Sequence, residues 1–221
     1  MGALTVQKIT DRVRRQFGDI GGALITDQAM YDWINDAMRE IILENNLLKV
    51  RANSITVANQ SNYGLPSDLL RFDHISYEGE ALPSISVQEA SNTVENMDDA
   101  TNFPRGIPQT YWVYGNELFL YPAPTAAGVT ITIYYNRNPV EITTMAGIPE
   151  LPARYDNRLI EYCLAQAAEI DDDTLKNQSK LQQFRDGLEK ARDEEEGPTD
   201  LYQHMGVSMA DSAGYSVQGD Y

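Results

Sequence analysis

Reactive side chains are scarce in this chain: one cysteine, two histidines and two tryptophans in 221 residues. A single cysteine, Cys163, excludes an intrachain disulfide and a thiolate metal cluster. It lies in the apolar helical run LIEYCLAQAA, where a small buried hydrophobe is the expected role. Long apolar runs are missing too. Stretches such as Ile41 to Leu43 and Val129 to Tyr135 fall far short of the roughly 20 apolar residues that a membrane span needs. The first residues, MGALTVQKITDRVRR, carry no apolar block or small-residue cleavage site of a signal peptide, which argues against export by the usual secretory route. Basic residues are also few, 17 Lys and Arg against 33 Asp and Glu, for a formal net charge of −16. Affinity for a nucleic-acid backbone comes from clustered cations that release counterions, and this chain presents the opposite field. Free copies should repel one another and stay soluble. The repulsion is screened over about 8 Å at physiological salt, so a template can overcome it.

The residues that remain offer no catalytic constellation. His74 lies in an expected strand and His204 near the C-terminus, too far apart in sequence for a local metal site or a Cys–His pair. His74 reads as a partly buried structural residue. GVSMA (206–210) approximates a nucleophile elbow, but Ala210 replaces the final glycine and no strand precedes it. Gly18, Gly21 and Gly22 form a loop without the strand and lysine of a phosphate cradle. Asp171, Asp172 and Asp173 lack the spacing of a calcium loop and suit a helix start. Glu194, Glu195 and Glu196 form a solvated helix end, where negative charge opposes the helix dipole. Glu40 and Glu44, one helical turn apart, are the pair a glycosidase would need, yet a solvated face explains them more simply. The sequons at Asn59 and Asn177 carry little meaning without a signal peptide. No catalytic, cofactor or metal site is therefore expected.

With 42% hydrophobic and 23% charged residues, the chain has enough apolar material for a sizeable core. Residues 4–17 pattern as a helix, with Ile9, Val13 and Phe17 on one face. After the glycines, Thr26 is a suitable N-cap with Asp27 in the first turn. Met30, Trp33, Ile34, Ala37, Met38, Ile41 and Ile42 then trace a helical stripe to about Asn46. The middle of the chain changes period. SITVA (54–58), HISYE (74–78), TYWVYG (110–115), ELFLYP (117–122) and VTITIYY (129–135) carry the alternation or β-branched enrichment of strands. Gly115-Asn116 makes a hairpin turn between two of them. In the last strand Val129, Ile131, Ile133 and Tyr135 share one face. A polar, acidic stretch at 87–103 reads as a short helix followed by a loop. Beyond Pro149, Tyr155, Leu159, Tyr162, Cys163, Gln166, Ala167 and Ile170 define a mostly apolar helix face, with Pro152 suited to its first turn. Asp171 to Asp173 turn the chain into a final helix bearing Leu181, Phe184, Leu188 and Ala191, an αα-hairpin.

Residues 197–221 have no sustained period and are rich in Gly, Ser, Asp and Gln. Two readings stand side by side: a floppy terminus, or a segment that orders on a partner through Leu201, Tyr202, Met205, Val207, Met209, Tyr215 and Tyr221. Four strand aromatics, Trp112, Tyr114, Phe119 and Tyr134, likewise suit either subunit contacts or the core of the β-rich segment itself.

Five phrases, in this order, resemble the head-to-tail adaptor (connector or neck) proteins of tailed bacteriophages: ITDQAMYDWINDAMREI (25–41), YGLPSDLLRFDHISYEG (63–79), GIPQTYWVYGNELFLYPAP (106–124), VTITIYYNRNPVEI (129–142) and LPARYDNRLIEYCLAQAAEIDDD (151–173). The likeness covers roughly residues 25–195. It implies a ring of identical subunits, dodecameric in the family, beneath the portal protein, extending the DNA channel and docking the next tail or nozzle protein. DNA would pass without sequence-specific binding, no membrane would be involved, and the protein would reside in the virion after assembly in the host cytoplasm. A tail-tube or tail-hub component, or another non-enzymatic binding module, is the alternative, with a peptidoglycan glycosidase more distant.

The expected fold is α+β, mainly α: a helical bundle core from residues 1–50 and 150–196, a β-rich insertion at 51–149, and an extended C-terminal tail at 197–221. Trp33, Ile34, Met38, Ile41, Leu159, Cys163, Leu181, Phe184 and Leu188 are the expected core. The tail residues and the four strand aromatics are the candidate interface with the portal or a neighbouring subunit.

Overall fold

A computed structural model of the chain describes residues 3–93 and 103–196. Two helices open it, α1 (Val6–Phe17) and α2 (Asp27–Glu44). Thr5 and Thr26 cap them, each hydroxyl accepting from the backbone N–H three residues on, Lys8 and Ala29. Such a cap is worth about 1 kcal/mol because it satisfies a donor the helix leaves unpaired. Gly18 ends α1 in the left-handed conformation, its N–H returning to Arg14 O, as the αL cap requires.

Strands β1 (Lys49–Ile55), β2 (Asn62–Gly64), β3 (Leu69–Tyr77) and β4 (Glu80–Ala81) follow, then the short helix α3 (Val87–Thr93). After residue 103 come β5 (Arg105–Gly106), β6 (Thr110–Tyr114), β7 (Glu117–Tyr121), β8 (Ala123–Pro124) and β9 (Thr130–Arg137). One sheet has the order β1-β9-β3-β4, a second β2-β7-β6, and β5 pairs with β8. A 3-10 turn at Ala153–Tyr155 leads into α4 (Asp156–Ile170), and α5 (Thr174–Glu196) returns along it. Asp173 caps α5, its carboxylate accepting from Lys176 N at 3.0 Å. The fold is thus mixed helix and sheet.

Helices α1, α2, α4 and α5 share one hydrophobic cluster that includes Ile9, Val13, Met30, Ile34, Met38, Ile41, Leu159, Cys163, Phe184 and Leu188, all buried. Each fully buried Ile or Met contributes about 1.5–3 kcal/mol, so the α2 stripe is the largest local source of stability. Two expected core residues are less buried than expected. Trp33 is half-buried against the cluster, because Met30, Ile34, Ala37, Met38 and Ile41 take the innermost line of the helix. Leu181 is also half-buried. Ile170, placed by its period on the apolar face of α4, is instead 48% exposed, since α4 ends there and the chain turns away.

A second cluster lies between the sheets, with Tyr63, Ile75, Tyr77, Leu118, Leu120, Ile131, Ile133 and Tyr135. The hairpin at 115–116 forms as its turn residues predict, Tyr114 pairing with Glu117. β1 begins earlier than SITVA suggests. Lys49, Arg51 and Asn53 point to solvent while Val50 and Ala52 turn inward, an alternation that the charged residues disguise. Thr56 closes that strand: its N–H donates to Val129 O at 2.8 Å and its hydroxyl to Ala126 O at 2.8 Å.

From Ile142 the chain lies against the helices. Asn35, buried on α2, donates to Ile142 O at 3.1 Å and accepts from Ile142 N at 2.8 Å. Val6 N and Gln7 N donate to Gly147 O and Met145 O. The end of β9 is tied to the segment leading into α4 where Arg137 meets Glu150 through two parallel contacts of 3.0 and 3.1 Å, the strong bidentate geometry of guanidinium and carboxylate. In α5 a glycine stands in the helix interior. The Arg158 side chain crosses at Gly187, where a Cβ would collide with it, and Arg158 Nη1 donates to Gln183 O at 3.0 Å.

Candidate functional site

The two most exposed large apolar side chains, Ile20 and Leu175, lie at one end of the helices, with Leu24 and Ile170 beside them in sequence. Ile20 is 82% exposed and Leu24 60% exposed in the α1–α2 loop; Leu175, 81% exposed, starts α5 beside Ile170. The two connections are neighbours, because Lys176 Nζ lies 5.3 Å over the ring of Phe17 at the end of α1.

The loop that presents Ile20 and Leu24 is built rigidly. The Asp19 carboxylate is buried and accepts from Ala23 N, Leu24 N and Ile25 N at 2.9, 2.9 and 2.7 Å. Those bonds, the one from Ile25 foremost, hold its carboxyl below the ordinary aspartate value despite burial, with Arg14 adding to the effect. Arg14 donates from Nε and Nη2 to Ile25 O at 3.0 and 2.6 Å and pairs with Asp27 at 2.8 Å. Gly22 lets that guanidinium pass: its φ is +67°, and a Cβ there would meet Arg14 Cζ. Apolar groups fixed outward in this way are presented at low ordering cost, the condition that favours docking.

A second surface is the solvent face of the four-stranded sheet. His74 and Tyr134 stack with ring centroids 4.4 Å apart and planes 10° apart, and Asp73 lies 3.3 Å from His74 Nδ1. Lys49, Arg51 and Asn136 border a shallow depression of about 260 Å³ beside them. His74 is half-buried.

The expected interface aromatics separate in the structure. Trp112 is 1% exposed in a small core with Ala90, Phe103 and Ala123, so it is no surface contact. It packs inward because the β6–β7 hairpin folds over α3. Phe119 stacks on it at 5.2 Å, planes 3° apart, and is half-buried. Tyr134 is half-buried on the sheet face, while Tyr114 is 67% exposed beside the hairpin turn. Leu201, Tyr202, Met205, Val207, Met209, Tyr215 and Tyr221 lie outside the described residues, as does the GVSMA segment. The apolar end went unread in the sequence, although isolated Ile and Leu beside glycines and aspartates are its one local signal.

Glu40 and Glu44 border a groove of about 270 Å³ with Asn45, Arg185, Leu188, Glu189 and Arg192. Burial raises the Glu40 carboxyl above its ordinary value, Arg185 opposes the shift and Glu44 adds to it. Cys163 is fully buried, and desolvation pushes its thiol far up, the signature of an inert core cysteine. Among the described residues, no group of three or more His, Cys, Asp or Glu side chains is placed to hold a metal, and no helix is long and apolar enough to cross a membrane.

Surfaces of this kind, rigidly held apolar groups and an aromatic sheet face, belong to a protein that makes contacts. The sequence matches the family model for the SU10 adaptor protein over residues 4–203. The chain belongs to that family, a phage-associated family of structural adaptors. No curated protein matches it.

Proposed function

We propose that the protein is a head-to-tail adaptor: identical copies form a closed ring beneath the portal, extend the DNA channel and offer a docking surface to the next tail component. The helices of 1–50 and 150–196 act as the ring-forming core and residues 51–149 as an insertion that reaches neighbouring components. The observation that carries this is the apolar end formed by Ile20, Leu24, Ile170 and Leu175. Large apolar side chains held outward by a bonded loop are the anchors a protein interface uses, and membership of an adaptor family gives that interface its kind of partner. A net charge of −16 suits a channel wall past which DNA moves without adhering. Portal docking uses this end together with the C-terminal segment beyond residue 197.

The test is docking on the portal encoded in the same genome. Ile20→Asp with Leu175→Asp changes two exposed residues, so fold and melting temperature should be unchanged while portal binding is lost. Binding equal to that of the unmodified protein would remove this end from the interface. Open-ended polymers in place of rings would favour a tail-tube component, since a head-to-tail contact that does not close gives a filament.

A further inference from the structure

The charges of the helices are segregated. Helix α1 carries Lys8, Arg12, Arg14 and Arg15 against Asp11 alone, a net +3. It is the one described helix with net positive charge, in a chain whose total is −16. Arg14 is turned inward to Ile25 O and Asp27. Lys8, Arg12 and Arg15 are exposed, and their i, i+4, i+7 spacing aligns them on one face. Helix α2 is the reverse: Asp27, Asp32, Asp36, Glu40 and Glu44 against Arg39, a net −4. Four of those carboxylates, Asp32, Asp36, Glu40 and Glu44, follow one another at i+4 steps. At 1.5 Å per residue the α2 row spaces its charges by about 6 Å over roughly 18 Å, and the α1 row by about 6 and 4.5 Å over roughly 10 Å.

Neither row serves the other within one chain. Arg12 faces Asp156 at the start of α4, where Leu4 N also bonds Asp156 at 3.1 Å. The α2 row borders Tyr162 of α4 and Arg185 of α5. Partial neutralisation comes from Arg39, 3.0 Å from Asp36, and from Arg185, while Asp32 accepts from the neutral Gln28 at 2.9 Å. A run of like charges at i+4 steps weakens the helix that carries it, so folding alone does not account for the row.

We infer that the α1 cation row of one copy docks against the α2 carboxylate row of the next, a head-to-tail contact between copies that offsets their net repulsion locally. The occupant is a second copy because the two rows have opposite sign and similar spacing and are carried by different helices of one shared core. A contact between two unlike patches is heterologous and propagates around a ring. This inference rests on the ring-forming adaptor reading and names the surfaces that would build the ring. Exposed pairs of this kind are screened by salt, so the contribution of this contact should weaken as ionic strength rises.

Two variants test it: Lys8→Glu, Arg12→Glu, Arg15→Glu in one, and Asp32→Lys, Asp36→Lys, Glu44→Lys in the other. Circular dichroism verifies folding, and the readout is the number of subunits retained per portal ring, with negative-stain images of the complexes. Each variant alone presents two rows of one sign and should fail to complete the ring. Their equimolar mixture should restore it, because every contact in an alternating ring again joins opposite signs. Complete rings from either folded variant alone, or a folded mixture that does not assemble, would overturn the inference while leaving the adaptor reading intact. If the unmodified protein makes no ring on the portal at any salt, the adaptor reading fails and this contact fails with it.

Discussion

Phe184 is the residue on which the attachment of α5 depends most. It is fully buried, packed edge-on against Tyr162 with centroids 5.3 Å apart and planes 62° apart. On this 23-residue helix Leu188 is the one other large apolar side chain that is buried, so Phe184 supplies much of the apolar contact along its length. Truncating a buried Phe to Ala costs about 3–5 kcal/mol, the lost transfer energy plus a cavity that collapses only partly. For a chain of this size each kcal/mol moves the melting temperature by about 2–4 °C, so Phe184→Ala should lower it by roughly 6–20 °C. Thermal unfolding followed by circular dichroism measures this. Hydrogen exchange adds a spatial check, because amides of α5 should lose protection before those of α4. A melting curve like that of the unmodified protein, with α5 still protected, would refute the assignment of Phe184 as the anchor.

Further outcomes follow from other sites. Cys163 should not react with a thiol reagent in the folded protein and should react fully in denaturant; rapid labelling under native conditions would contradict its burial. The Glu150 carboxyl is held below its ordinary value chiefly by Arg137. A depressed folded value means the pair stabilises fully above the unfolded glutamate value near 4.5 and loses that contribution as pH falls through the folded one. Glu150→Gln should therefore flatten the acid limb of the stability–pH curve, and an unchanged limb would argue against the pair. Gly187→Ala, which in an open helix gains about 1 kcal/mol, should lower the melting temperature here by displacing Arg158; a rise would show that Arg158 yields freely. Asp19→Ala should loosen the loop bearing Ile20 and Leu24 and weaken portal docking, with little change in the exchange protection of α4.

Local signals made much of the fold legible. The Thr26 cap and the stripe from Met30 to Ile42 define α2 because capping and amphipathic period agree there. The 115–116 turn and the alternation in VTITIYY define the hairpin and β9 for the same reason. Strand β1 was half hidden, since Lys49, Arg51 and Asn53 occupy its solvent face and resemble a loop. Trp112 was ambiguous on principle: alternation says which residues share a face, but not which face another element covers, and here α3 and Phe103 cover it. The apolar end was illegible for a related reason. Ile20 and Leu24 belong to no periodic segment, and their outward fixation arises from bonds that Asp19 and Arg14 make only in the folded loop. Ile170 continued the period of α4 one step past the point where its neighbours end.

The central claim, that this chain assembles as a ring on the portal, is tested most directly by negative-stain imaging of the purified protein, alone and mixed with the portal from the same genome. Dispersed, self-repelling copies are expected alone, and closed rings seated on the portal in the mixture. Absence of portal binding at every salt concentration would contradict that claim.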